Sequence, residues 1–425
     1  MTTDPQVLAS FDPFDRGPSI ASSASSSQRL SPLAWVIHFV LFLTMMICVV
    51  LPDILGASPR VLMIRQITYV GYAVFMLVVG SVSASSLVWR DISYLACTVA
   101  ISLAALTTLV TVSDARYIDY LGPVSFVLGV YVFAFVLPRA FRSSTATIVL
   151  PCALIVTAVV CVGSYFRTGA GLERNNMVSA YAGLTTLLLA LRGQRRGISL
   201  AGSILCWGGV AVLLLILATS LGRTAIFACV GTGLLLTWLG STSRRKLMVF
   251  LLLLLVLCLA LWTRAGGHVV EALLSKGQDW ERLRFTLTTL SGRTEIWANA
   301  LHGAGFSWFG HGTSWVNLVT ERGAHSSYLT VYFAYGFLAL FFWLIMCMVS
   351  LWAAVRTMRA CRRSASFPLA PALVLYYLIM SLAESYFNLL VGGFAMLFYV
   401  GTGMCMLELH KTVEDRSWFV PQRAY

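Results

Sequence analysis

The side chains best suited to proton transfer gather in one polar stretch late in the chain, residues 264–326. Four of the six histidines lie there: His268, His302, His311 and His325. His325 stands two residues before a long apolar segment that begins at Ser327. An imidazole ordinarily titrates near neutral pH, so a histidine at such a boundary is suited to take a proton from a hydroxyl. We therefore treat His325 as the candidate general base.

Two arginines are candidates for binding an anion. Arg223 lies in a short, otherwise uncharged turn between two apolar segments, and Arg293 lies in the polar stretch, in "SGRTEIWANAL". An arginine in such a turn is costly without a partner, and few acidic residues are nearby in the sequence. The planar guanidinium donates paired hydrogen bonds to phosphate. Arg223 and Arg293 are therefore predicted to bind a phosphate or pyrophosphate group.

Glu384 is an acidic residue within an apolar segment, "SLAESYFNLL". Acidic side chains in a membrane span are functional candidates by default because burying a charge there is costly. Two roles stay open for Glu384. It orients His325 or one of the arginines, or it acts as the base in place of His325.

Composition defines the class of protein that must position these residues. The chain has 425 residues, of which 58% are hydrophobic and 11% charged, where a soluble protein has about 25% charged residues. Apolar runs of membrane-spanning length recur along it, which predicts an all-α integral membrane protein rather than a β-barrel. The net charge of +13 comes from basic residues between apolar runs, so we expect no nucleic acid among the partners and the lipid bilayer as the surroundings.

The apolar runs predict about twelve spans, with one large loop between spans 9 and 10. The spans are 33–51, 67–88, 92–112, 120–137, 147–165, 177–191, 198–217, 224–240, 247–263, 327–352, 369–390 and 392–409. The chain then divides into a disordered tail (1–32), spans 1–9 (33–263), the large loop (264–326), spans 10–12 (327–409) and a second tail (410–425).

Basic residues predict the orientation. They are most frequent on the side that holds both termini, in "RGQRRG" (192–197), "SRRK" (243–246) and "RTMRACRR" (356–363). Short loops rich in Lys and Arg stay in the cytoplasm. Both tails are therefore predicted to be cytoplasmic, and the large loop, with the site, is predicted to face outward, which for a bacterial inner membrane means the periplasm.

Arginines and a histidine at one face of a membrane protein indicate group transfer from a lipid-linked pyrophosphate. The arginines would stabilise charge on the departing pyrophosphate, so no metal and no cofactor is required. The chain has no P-loop or dinucleotide fingerprint. All cysteines but Cys361 lie in apolar runs and none forms a CxxC pair, which argues against disulfides and a cysteine metal site.

The motif order "GRTEIW … FGHG … AHSSYL … YGFLAL" resembles the family of O-antigen ligases and Wzy-type polysaccharide polymerases. The clear match covers roughly residues 200–345. The resemblance implies a bacterial inner-membrane glycosyltransferase that transfers glycan from undecaprenyl pyrophosphate. For a polymerase it also implies a chain-length regulator protein as a partner.

The resemblance assigns roles to individual residues. "SLGRTAI" is similar to the family element whose arginine is Arg223, and "SGRTEIW" to the element with Arg293 and Trp297. "AHSSYL" is similar to the family's His-Asn-x-Tyr-Leu element, giving His325 and Tyr328, with Ser326 in place of the usual asparagine. Further candidates for substrate binding are Arg174 and Glu295. "LERNNMVSAYAGL" resembles the entry to a short helix, with Asn175 or Asn176 at the family's Asn position.

These observations favour a polymerase that joins lipid-linked repeat units of an exopolysaccharide or O-antigen. The first alternative is a ligase that gives the same glycan to lipid A core, because the motifs are shared. The alternative from another class is a transporter, or flippase, for the lipid-linked oligosaccharide. Transporters usually place polar residues near the bilayer midplane on broken helices, whereas here the polar residues are predicted at the outer face.

Overall fold

The computed structural model describes fourteen stretches of the chain. They are residues 32–55, 59–81, 89–112, 117–140, 142–168, 176–194, 198–220, 223–239, 293–313, 315–316, 324–364, 368–387, 389 and 393–417. Within these stretches the secondary structure is helical and no strand occurs. The all-α class predicted from composition is confirmed.

Thirteen α-helices are described, and a short π-helix, Tyr131–Val136, follows the fourth. They are α1 Pro32–Leu55, α2 Pro59–Ser81, α3 Trp89–Thr111, α4 Tyr117–Val130, α5 Leu137–Ala140, α6 Arg142–Thr168, α7 Asn176–Gly193, α8 Leu200–Ser220, α9 Arg223–Trp238, α10 Arg293–Ala304, α11 Ser327–Ser364, α12 Leu369–Ala383 and α13 Gly393–Ser417. The main packing pairs are α7 with α8, α3 with α11, and α12 with both α13 and α9.

Five described helices are long and apolar enough to cross a membrane. They are Arg90–Thr111, Tyr120–Arg139, Ile148–Phe166, Leu200–Leu217 and Ser327–Arg359. Large apolar side chains on α8, among them Leu200, Leu205 and Leu215, are exposed, as expected of a lipid-facing helix. The protein is therefore a multi-pass helical membrane protein.

The remaining predicted spans differ in length from the helices or fall outside the described residues. The span predicted at 247–263 lies outside them, and so do residues 1–31, 418–425 and residues 264–292 of the predicted loop. The last helix continues to Ser417, into the stretch predicted as the second tail. In four helices, α1, α2, α9 and α12, the described residues form apolar segments shorter than a membrane span. The count of twelve spans stays a prediction.

Helix α11 is broken at Gly336. This residue has φ 89° and ψ 179°, a conformation essentially restricted to glycine. We call residues 327–335 the short arm and residues 337–364 the long arm of α11. Hydropathy predicts one continuous span here because both arms are apolar.

The chain reverses direction at this break. The side chain of Tyr328 on the short arm lies next to that of Cys347 on the long arm. In a straight helix residues 328 and 347 would lie about 28 Å apart, so the two arms must fold back against each other. The start of the short arm, next to His325, consequently lies inside the bundle beside the long arm.

A glycine-rich segment, residues 305–312, forms hydrogen bonds with the backbone groups that the break leaves without helical partners. We call this segment the wedge loop. Phe337 and Leu338 donate their backbone N–H groups to the carbonyls of Ser307 and Trp308, at 3.0 and 3.3 Å. The amide of His311 donates to the Phe333 carbonyl at 2.8 Å. Unpaired backbone groups are very costly inside a membrane protein, so the wedge loop is what makes the broken helix tolerable.

Candidate active site

Glu384 is the residue at which the site converges. It ends α12, with extended backbone (φ −140°, ψ 147°), and its side chain is almost fully buried. Asn176 at the start of α7 donates to Oε2 at 3.0 Å, and Thr224 in the first turn of α9 donates to Oε1 at 3.4 Å. Nδ1 of His325 lies 3.7 Å from Oε2. Four elements distant in sequence therefore meet at one carboxylate.

His325 occupies a strained position between Glu384 and the exterior. Its φ of 48° makes it the one non-glycine with positive φ among the described residues. A non-glycine residue in this region costs about 1–3 kcal/mol and persists only where the surroundings enforce it. Its side chain is 24% exposed, against 7% for Glu384. A ligand entering from outside the bundle therefore reaches the imidazole more readily than the carboxylate.

Ser327 anchors the chain that carries Glu384. This buried hydroxyl donates to the Glu384 carbonyl at 3.1 Å. It accepts from the backbone N–H groups of Tyr386 and Phe387, at 2.9 and 3.2 Å. Residues 384–387 leave the helical path here, so one serine replaces several helical hydrogen bonds. Hydropathy extends this span to residue 390, whereas α12 ends at Ala383 because the backbone turns to this serine.

The two predicted pyrophosphate-binding arginines begin helices that reach this cluster. Arg223 is the first residue of α9, one position before Thr224. Arg293 is the first residue of α10, and α10 is tied to the cluster through Trp297, whose indole Nε1 donates to the Ala324 carbonyl at 2.6 Å. A helix N-terminus carries partial positive charge and favours anions. Both arginine side chains lie outside the described part of the chain.

The other predicted site residues divide into two groups. The side chain of Tyr328 lies next to Cys347 inside the bundle, and its predicted role in substrate binding stays a prediction. Trp297 is a tether for the segment that holds His325. Arg174 and the side chain of Glu295 lie outside the described residues, and their predicted roles in substrate binding stay predictions.

Sequence reasoning missed two contributors to the cluster, Thr224 and Ser327, and left Asn175 and Asn176 as alternatives. The structure assigns Asn176 to the cluster through its contact with Glu384. The available signal was a polar residue in the first turn of an apolar helix, as at Thr224 in α9 and Ser327 in α11. Hydropathy also did not indicate how deep the cluster lies. It places His325 at the mouth of a span, whereas the cluster lies inside the bundle beside the long arm.

Comparison with known proteins identifies the part of the chain that carries these elements. Residues 208–344 match the family model described as O-antigen ligase. Over this stretch, about a third of the chain, the protein is similar to O-antigen ligases. The match includes Arg223, Arg293 and His325, while Asn176 and Glu384 lie outside it. A comparison with curated proteins found no match.

Replacing Glu384 separates an orienting carboxylate from a catalytic base. Glu384→Gln keeps the shape but removes the charge, and its amide N–H₂ meets Asn176 or Thr224, which are also donors. If Glu384 orients His325, kcat for glycan transfer falls by about tenfold or more, with KM little changed. Glu384→Asp is the matched control, since it keeps the charge and recovers part of kcat. A loss as large as that from removing His325 would identify Glu384 as the base instead.

Proposed function

We propose that the protein transfers glycan from an undecaprenyl-pyrophosphate donor to a sugar hydroxyl at the periplasmic face of the inner membrane. The acceptor favoured here is another lipid-linked repeat unit, which makes the protein a polysaccharide polymerase. The observation that carries the proposal is the convergence of His325, Thr224 and Asn176 on Glu384, with an arginine at the start of each of two neighbouring helices.

The proposed reaction is a single displacement. The acceptor hydroxyl oxygen attacks the anomeric carbon of the donor sugar, and its proton passes to Nε2 of His325. The bond from the anomeric carbon to the pyrophosphate oxygen breaks, and undecaprenyl pyrophosphate leaves with the bonding pair. Direct attack inverts the configuration at the anomeric carbon.

Each group in the cluster has a defined part in this scheme. The Glu384 carboxylate faces Nδ1 of His325. It favours the tautomer that carries hydrogen on Nδ1 and leaves the lone pair on Nε2, which lies away from Glu384. Asn176 and Thr224 hold the carboxylate in position. Arg223 and Arg293 would stabilise the charge that builds on the pyrophosphate, a role in which guanidinium groups act without a metal.

Two other functions each have an observation in their favour. Transfer to lipid A core, the ligase reaction, is favoured by the description of the family that residues 208–344 match. A lipid-linked oligosaccharide transporter is favoured by the broken helix at Gly336 and by a polar cluster inside the bundle, both common in transporters. The family match favours chemistry over transport.

Reconstitution with a lipid-linked repeat unit tests the proposal. The purified protein is expected to produce a ladder of polymer, and Arg223→Gln is expected to lower kcat/KM by about 10²-fold through loss of charge stabilisation. Arg60→Gln is the control, since Arg60 is an exposed arginine in the first turn of α2, and should leave the ladder intact.

The same preparation distinguishes the alternatives. Product formed only when lipid A core is added indicates a ligase. Movement of lipid-linked sugar between leaflets, with no glycosidic bond formed, indicates a transporter. Retention of configuration in the product linkage by NMR would rule out the single displacement.

A further inference from the structure

Two arginines flank an exposed tryptophan at the end of the bundle opposite the wedge loop, and a third lies close by on the same helix. The guanidinium carbons of Arg90 and Arg356 lie 5.4 and 5.8 Å from the ring centre of Trp352. Arg359 follows one turn later on the long arm of α11. Helix α3 connects the two ends of the bundle. Arg90 lies in its first turn, whereas Thr108 lies near its other end, where its hydroxyl accepts a hydrogen bond from the backbone N–H of Gly310 in the wedge loop.

Among the residues that the structure describes, no carboxylate is paired with the arginines of this cluster. Asp91, the neighbour of Arg90, is fully buried. It is paired with Arg139, and its Oδ2 lies 3.7 Å from Nε2 of His410. Within the described part of the chain, no carboxylate lies within ion-pair distance of Arg90, Arg356 or Arg359. Like charges three residues apart on a helix repel each other, so an external anion is favoured here.

An apolar groove runs along the long arm of α11, away from the arginines at Trp352. Its volume is about 330 Å³. The lining residues are Met348, Leu351, Trp352, Val355, Arg356 and Arg359. From Arg359 to Met348 the helix rises about 16 Å. The groove therefore has guanidinium groups at one end and apolar side chains at the other, and both ends lie within reach of one amphipathic molecule.

We propose that this groove is a binding site for an anionic diacyl phospholipid in the leaflet opposite the glycan site. Arg90, Arg356 and Arg359 contact the headgroup phosphate, and an acyl chain lies along Leu351 and Met348. Basic pockets between membrane helices bind anionic headgroups, and a guanidinium fork pairs with phosphate through two hydrogen bonds. The two arginines stacked on Trp352 are held in place before the lipid binds, which lowers the entropy cost of binding.

Native mass spectrometry of the full chain with phosphatidylglycerol and phosphatidylcholine of matched acyl chains tests the site. Arg356→Gln is expected to weaken phosphatidylglycerol binding about tenfold, since it removes charge-assisted hydrogen bonds, and to weaken phosphatidylcholine binding less, because the choline of that lipid already balances its phosphate charge. Arg192→Gln is the matched control. It removes one positive charge from the last turn of α7, away from Trp352, and should change binding less than about twofold.

Three results would overturn the proposal. Equal losses in Arg356→Gln and Arg192→Gln would mean attraction by overall charge. Equal binding of the two lipids would mean an apolar groove without headgroup recognition. Displacement of phosphatidylglycerol by excess inorganic phosphate would mean a plain anion site. If Arg356→Gln aggregates, Arg359→Gln is compared with Arg192→Gln in the same way.

Discussion

His325→Asn is expected to abolish glycan transfer while the protein stays folded. Asparagine tolerates the left-handed backbone that His325 adopts (φ 48°), so this change avoids the strain that alanine would add. It removes the nitrogen that is proposed to take the acceptor proton. General-base catalysis contributes about 10²- to 10⁴-fold, so kcat should fall by that factor. The measurement is the initial rate of polymer formation by purified protein at saturating donor.

His302→Asn is the matched control for this change. His302 is an exposed histidine of α10 and should be replaceable without loss. Donor binding, measured as a dissociation constant, should be unchanged in His325→Asn, because the pyrophosphate is assigned to Arg223 and Arg293. A ladder made at the wild-type rate by His325→Asn would mean that the histidine is structural, and Glu384 would be the next candidate for the base.

Gly336→Ala is expected to disrupt the fold around the cluster at Glu384. A Cβ at residue 336 would lie 2.3 Å from the Trp308 carbonyl oxygen and 2.6 Å from the Phe309 backbone. Backbone atoms cannot move aside as a side chain end does, and φ 89° strains any residue but glycine. The free energy of unfolding should fall by about 2–5 kcal/mol, observed as a lower melting temperature in detergent.

Gly303→Ala is the control for this prediction. Gly303 lies in α10, and no atom comes within 4 Å of an added Cβ, so alanine should be neutral or stabilise the helix by up to about 1 kcal/mol. Gly310→Ala provides an independent test of the wedge loop, since its Cβ would lie 2.2 Å from the backbone of Ala334. Wild-type melting temperatures for both Gly336→Ala and Gly310→Ala would contradict the role assigned to the wedge loop.

The fold class and the helix positions were predictable because hydropathy is a local property. Spans predicted at 92–112 and 198–217 coincide closely with α3 and α8. The predicted bounds differ from the observed ones where hydropathy does not decide the residue at which a helix begins or ends. α2 starts at Pro59, eight residues before the predicted span, because polar residues at its start are still helical and proline is favoured in the first turn.

The sequence by itself determined the membrane class, the family resemblance and the candidate residues Arg223, Arg293, His325 and Glu384, because each depends on composition or on short motifs. Only the tertiary structure decided that Asn176, Thr224 and His325 meet at Glu384. Their contacts depend on the reversal at Gly336 and on the end of α12 at Ala383. Neither is visible to hydropathy, since a span that folds back on itself is as apolar as one that runs straight.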